Sequence, residues 1–102
     1  MSGRAEVDGS RFEELTGSLL DRLGLVRIRE ERRPESFGSW WIECGAPEGT
    51  GVRLVWDGRD GVGSVQRSTG VGGWRTLQQY RSEESLQDWR ERAGELPRLL
   101  GR

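Results

Sequence analysis

Gly51-Val52-Arg53-Leu54-Val55-Trp56-Asp57-Gly58-Arg59-Asp60-Gly61 and the run Val62 to Arg67 behind it decide the fold. Val52, Leu54 and Trp56 alternate with Arg53, Val55 and Asp57, the period-two pattern of a half-buried strand. Asp57 to Gly61 holds two Asp-Gly pairs, which suit the positive φ of a hairpin connection. Val62 to Arg67 then returns as the next strand. A link this short joins antiparallel neighbours.

Working upstream, Phe37 to Cys44 is a further strand. Trp40, Ile42 and Cys44 share one face, and Trp41 and Glu43 share the other. Gly45-Ala46-Pro47-Glu48-Gly49 is the loop between the two strands. Leu25 to Arg32 alternates as well, with Val26 and Ile28 pointing one way and Arg27 and Arg29 the other; Pro34 ends that strand or marks a sheet edge. Ser10 with Glu13 reads as a capping box that opens a helix. Phe12, Leu15, Leu19 and Leu23, widened by Leu20, give the helix one apolar stripe, and Gly24 is placed to end it. Residues 1–9 read as a flexible polar tail.

Downstream, Gly70 to Gly73 is a turn, and Trp74 to Tyr80 is a fifth strand or extended segment. Ser82 reads as a second N-cap, followed by Glu83 and Glu84 at the positive end of the helix dipole. Leu86, Trp89, Ala93 and Leu96 form the second helical stripe, which Pro97 disrupts. The order is α-β-β-β-β-(β)-α. We expect a single α+β domain over residues 10–102, an antiparallel meander of four to five strands with both helices on one face. The other face is then open to water or to a partner.

The residue inventory narrows the chemistry. The chain of 102 residues has 16 basic and 17 acidic side chains and a net charge of -1, which gives a solvated surface without long-range steering toward nucleic acid or membrane. It contains no His, no Lys and no Asn, so every basic residue is Arg. Lys and Asn codons both begin with two adenines, so their joint absence points to a GC-rich, bacterial genome. The Arg excess is then codon bias before it is a nucleic-acid signature. The N-terminus carries no signal-peptide pattern, and no apolar run approaches the ~20 residues of a membrane span, so the cytoplasm is the expected location.

Without His there is no imidazole base and no Ser-His or Cys-His pair, and without Lys there is no Schiff base. Asp57 and Asp60 lie close in a hairpin, with Glu43 as a candidate cross-sheet neighbour, and paired carboxylates can work as acid and base or hold a divalent metal. Asp-Gly is also a common turn former, and that reading is preferred. Asp57 to Gly61 resembles the start of a calcium loop but lacks its later ligands. Gly70-Val71-Gly72-Gly73 does not open a helix, as a phosphate cradle requires. Cys44 reads as a small buried hydrophobe. The expectation is no enzyme, no cofactor and no metal site.

The expected open face carries Phe37, Trp41, Glu43, Arg53 and Asp57, with Arg67 at its margin. Trp and Arg are enriched where interfaces concentrate their affinity. Equally, Trp41 is placed to cover sheet surface under a stacked Arg. Three uses of the face follow: docking of another protein, a homodimer that buries the face against itself, or stacking and phosphate contacts from Arg27, Arg29, Arg32 and Arg33. Glu30, Glu31 and Glu35 interleave that Arg stripe and count against nucleic acid.

The order of elements around Gly51 to Gly61 is similar to that of small immunity-type proteins found beside bacterial polymorphic toxins. The resemblance spans roughly residues 10–96 and carries over no functional residue. It implies a protein that neutralises a cognate toxin by occluding it. The same order also resembles small bacterial secretion chaperones, which bind polypeptide.

Overall fold

The computed structural model describes residues 3–45 and 51–101. Helix α1 (Gly3–Arg22) is followed by five strands, β1 (Val26–Arg33), β2 (Ser39–Gly45), β3 (Gly51–Asp57), β4 (Val62–Ser68) and β5 (Trp74–Arg81). Two short helices, α2 (Leu86–Ala93) and α3 (Leu96–Leu99), close the chain. The strands form one antiparallel sheet in the order β1-β2-β3-β4-β5, a pure meander. The α+β class is therefore as expected, and the fifth strand is paired along its whole length. The expected loop 45–49 lies, after Gly45, outside the described residues.

The alternation in β2 and β3 sets the inner face. Trp40, Ile42 and Cys44 are buried opposite Trp56, Leu54 and Val52. Gly63 and Val65 continue the face on β4, and Gln78 and Tyr80 on β5. Onto it α1 lowers Phe12 and Leu20, the last two helices add Trp89, Ala93 and Leu96, and Leu100 follows just beyond α3. Phe12 is the hub: its ring centre lies 5.2 Å from Tyr80, 5.8 Å from Trp40, 5.9 Å from Trp56 and 6.4 Å from Trp89. Such pairs add about 0.5–1.5 kcal/mol each beyond their buried area. The cluster fits because Gly63 lies under the ring: a Cβ there would meet Phe12 Cγ at 2.7 Å. Gly9 gives the same clearance to Trp56, whose indole would meet a Cβ on the helix at 2.7 Å.

Three expectations are corrected. Residues 3–9, expected in a loose tail, are the first turns of α1, so Ser10 and Glu13 lie inside the helix and do not cap it. Glu13 instead ties the helix to the edge strand, accepting from Arg32 Nη2 at 2.8 Å and Arg27 Nη1 at 3.2 Å. The cap of α2 is Ser85, whose Oγ accepts the Asp88 amide at 3.1 Å, three residues beyond the expected Ser82. In β1 the apolar pair points away from the helices. Val26 pairs with Gly45 on the open face, Ile28 is the extra residue of a β-bulge, and the two are 66% and 59% exposed. The helix-facing positions are Arg27, Glu30 and Arg32, because α1 meets this edge through Glu13 and offers it no apolar groove.

The opposite edge is fastened by polar contacts. Arg92 Nη1 donates to the Gln79 carbonyl at 2.8 Å, and Trp89 Nε1 to the Arg81 carbonyl at 3.0 Å. Tyr80 Oη donates to Gln78 Oε1 at 2.6 Å, and Gln78 Nε2 donates onward to the Arg92 carbonyl at 2.6 Å. Burial pushes the Tyr80 phenol above its usual range. Glu84 closes the arrangement in a two-pronged ion pair with Arg92.

Two predictions follow from these contacts. Gly63→Ala should lower stability by about 1–3 kcal/mol in a urea titration, since the Phe12 ring has no room to yield within its ring of aromatics. The hydrogen bond from Arg32 holds the Glu13 carboxyl below its ordinary 4.5, and that from Arg92 does the same for Glu84, in each case against the opposing effect of burial. A carboxylate that titrates lower in the folded chain stabilises it above its unfolded pKa and loses that contribution as pH falls through the folded value. Between about pH 5 and pH 3 the urea midpoint should therefore drop further in the wild type than in a Glu13→Gln/Glu84→Gln variant.

Candidate functional site

All three helices lie on one side of the sheet, and the register defines what the other side displays. One cross-strand row reads Glu31, Trp41, Val55, Ser64, Gln79, and the next reads Arg29, Glu43, Arg53, Gln66, Thr76. The second row is a belt of mutually satisfied polar groups. Arg29 pairs with Glu43 at 3.5 Å, Arg53 Nε donates to Gln66 Oε1 at 2.8 Å, and Gln66 Nε2 reaches Thr76 Oγ1 at 3.4 Å.

The Arg53 guanidinium also lies over the Trp74 ring, 4.5 Å from its centre. Burial pushes this guanidinium below its usual pKa, with Glu43 opposing the shift. Trp74 is a site residue that the sequence pattern alone does not single out. It pairs with Ser68 across the loop 69–73, so it falls on the face of Ser64 and Gln66. The length of that hairpin loop is the signal that would have placed it, and the bulge at Leu77 hides the parity when the strand is counted from its other end.

Apolar patches flank the belt on both sides. Trp41 and Val55 form one, beside a shallow depression of about 230 Å³ that reaches Arg33, Ser39 and Asp57. The other has a glycine floor: Ile28 lies over Gly45, where a Cβ would meet its Cδ1 at 2.5 Å, and the Trp74 ring edge lies 3.7 Å from the corresponding point on Gly51. Gly45 and Gly51 are paired, so Ile28 from β1 and Trp74 from β5 reach one glycine floor on the open face. The face thus presents apolar, polar and apolar zones across one hydrogen-bonded sheet.

Of the residues expected here, Trp41, Glu43, Arg53 and Asp57 share the open face. Arg67 does not. It pairs with Val52 and Arg75 on the helix side, because Phe12 claims Gly63 and parity then fixes Val65 and Arg67 inward. Asp57 and Glu43 are not neighbours, since Arg53 stands opposite Glu43 and the Trp41–Val55 pair intervenes. Asp57 Oδ1 accepts the amides of Arg59 at 3.1 Å and Asp60 at 3.2 Å, the contacts of a turn former. Among the described residues no group of three or more His, Cys, Asp or Glu is placed to hold a metal. Cys44 is buried on the inner face, and burial pushes its thiol pKa up, away from the reactive thiolate.

Phe37 lies outside the strands, in the turn from β1 to β2, and is 59% exposed. Its φ is +59°, the left-handed region that a bulky side chain rarely occupies. The turn is locked in place: the Phe37 carbonyl packs so closely on Gly58 that a Cβ there would sit 1.9 Å from it, and Ser39 Oγ accepts the Gly58 amide at 2.9 Å. An aromatic ring is thus held in solvent at a position whose backbone favours glycine, and strain of this kind concentrates at functional sites.

Phe37→Gly should therefore leave stability unchanged or raise it by up to about 1 kcal/mol, because the αL cost disappears while the flexibility of glycine offsets part of the gain. Urea titration decides the point, and a loss above about 1 kcal/mol would mean that the ring serves the fold.

Scanned against protein-family models, curated proteins and solved structures, the chain matches none, so its site is read from geometry alone.

Proposed function

We propose that this chain is a non-enzymatic protein-binding module whose partner docks on the open sheet face. The observation that carries the reading is the one-sided sheet itself. Every helix covers the inner face, while the outer face sets Trp41, Val55, Trp74 and Ile28 around a belt of hydrogen-bonded charges. Large rings on a rigid frame lose little entropy on docking, so they suit an anchor role, and the belt sets register and partner choice. Phe37, at the end of the same sheet, adds an exposed ring to the surface offered.

Two observations favour protein over nucleic acid as the partner. The open-face cations are engaged: Arg29 with Glu43, Arg33 with Glu31, and Arg53 with Gln66 and Trp74. Phosphate contacts would have to displace those partners. The face also mixes signs, which matches a protein surface better than a uniform polyanion. Within this reading, the resemblance to immunity-type proteins suggests a toxin as the partner, occluded by direct coverage. A homodimer through the same face is the competing use, and the two exposed aliphatic side chains Val26 and Ile28 favour it.

The test begins with capture of the partner from the native host, with light scattering on the isolated chain to detect self-association. Trp41→Ala and Trp74→Ala should each weaken partner binding by about tenfold or more in calorimetric titration, with thermal melting close to wild type. If Trp41→Ala melts far below the wild type, the ring belongs to the fold. If it binds normally, the partner sits elsewhere.

A further inference from the structure

The helix side of the molecule carries a second surface with a different chemistry. Arg11, Leu15, Ser18 and Arg22 recur at the spacing that puts them on one stripe of α1. Leu86 and Arg90, four apart on α2, face that stripe, and together they line a groove of about 440 Å³. A second hollow of about 290 Å³ shares Arg11 and Leu86 with it and extends to Val7. The two are continuous along α1 from Val7 to Arg22, fifteen positions apart, which is about 22 Å at about 1.5 Å per residue. Val7 is 49% and Leu86 40% exposed, so two of the molecule's exposed large aliphatic residues lie along this one channel.

The smaller hollow is also lined by two acids, Asp8 and Glu84, the latter paired with Arg92, whereas the charges around the larger hollow are unbalanced toward Arg. The Arg side chains of β1 all have carboxylate partners: Arg27 and Arg32 with Glu13, Arg29 with Glu43, Arg33 with Glu31. The guanidinium groups of Arg11, Arg22 and Arg90 make no ion pair or hydrogen bond among the described residues. Glu14 is the one acid lining the larger hollow with them. Three free cations around an aliphatic floor complement a ligand that is apolar at its centre and anionic at its flanks. Carboxylates satisfy Arg in two-pronged contacts, and a Leu, Ile or Phe side chain fills the space between Leu15 and Leu86.

We propose that this groove binds an acidic segment of another polypeptide, one that carries an apolar side chain between carboxylates. The larger hollow runs along α1 from Arg11 to Arg22, about 16 Å, which matches about three turns of helix or five extended residues. A nucleic-acid backbone would meet the cations but leave the aliphatic floor uncovered, and the channel presents no exposed aromatic ring for base stacking. The surface lies on the opposite side of the sheet from the open face, so it stands or falls independently of the function proposed above.

The test pans a phage library of random dodecapeptides against the immobilised full chain, then follows a labelled enriched peptide by fluorescence anisotropy. The enriched sequences should share two or more Asp or Glu around a Leu, Ile or Phe. Arg11→Glu/Arg90→Glu should weaken the peptide by about tenfold or more, Leu86→Gln by several-fold, and Glu14→Arg should strengthen it by several-fold. These four side chains are exposed, so thermal melting should hardly move, and the gain expected for Glu14→Arg keeps the test decisive should the double variant fold poorly. Trp41→Ala should leave this affinity unchanged. The proposal is overturned if no peptide is enriched, if the enriched peptides lack acidic residues, or if their affinity follows Trp41 and ignores the groove. It is equally overturned if a single-stranded oligonucleotide binds with the same Arg dependence while no peptide does.

Discussion

The Phe12 ring lies within 5.2–6.4 Å of four other aromatic rings, directly above a strand position that has no side chain. That one contact orders much of what surrounds it. It fixes the height of α1 over the sheet, and Gly9 lets Trp56 come up against the same helix. It brings Tyr80 and Trp89 edge to face, which seats α2 against β5. It also sets the parity of β4: with Gly63 under the ring, Val65 must face in and Ser64 and Gln66 must face out. The composition of the open face is therefore partly decided by a residue on the far side of the sheet.

The two faces of the sheet are built on opposite rules. At its centre the inner face is apolar and aromatic, and its buried Gln78 is held in a chain of hydrogen bonds that runs from Tyr80 to the Arg92 carbonyl. The outer face keeps its apolar side chains apart with a belt of charges that partner one another. Buried polar networks are costly when half satisfied, and an outer belt already satisfied within the chain can be covered without stranding a charge. Such a belt costs less to desolvate than the same residues unpaired.

The meander was legible because β2 and β3 obey strict alternation with large apolar residues on one side only. The same rule located Trp41, Glu43, Arg53 and Asp57 on a common face. It failed in β1, where Val26 and Ile28 look like core and are not. That strand packs against α1 through Arg32 and Glu13, and a bulge at Ile28 breaks its count. It failed at Arg67 because Val62 and Val65 are three apart and cannot share a face, and only the Phe12–Gly63 contact decides between them. The start of α1 was missed because two glycines in its first turns read as a loose tail, whereas Gly9 is required by Trp56. Trp74 and the groove between α1 and α2 depend on a loop length and on how two helices cross, neither of which one strand or one helix reveals by itself.

The edges of this sheet have a consequence for how the molecule behaves in a crowded solution. A five-stranded sheet with an exposed apolar face is a template for chain-to-chain strand addition, and long flat edges are where such growth begins. Here β1 presents charge on both of its faces and a bulge near its start. At the other end, Arg92 and Trp89 occupy the Gln79 and Arg81 carbonyls of β5. Growth by added strands is opposed at both ends. That leaves the flat face between the edges, and not the edges themselves, as the surface the sheet offers for contact.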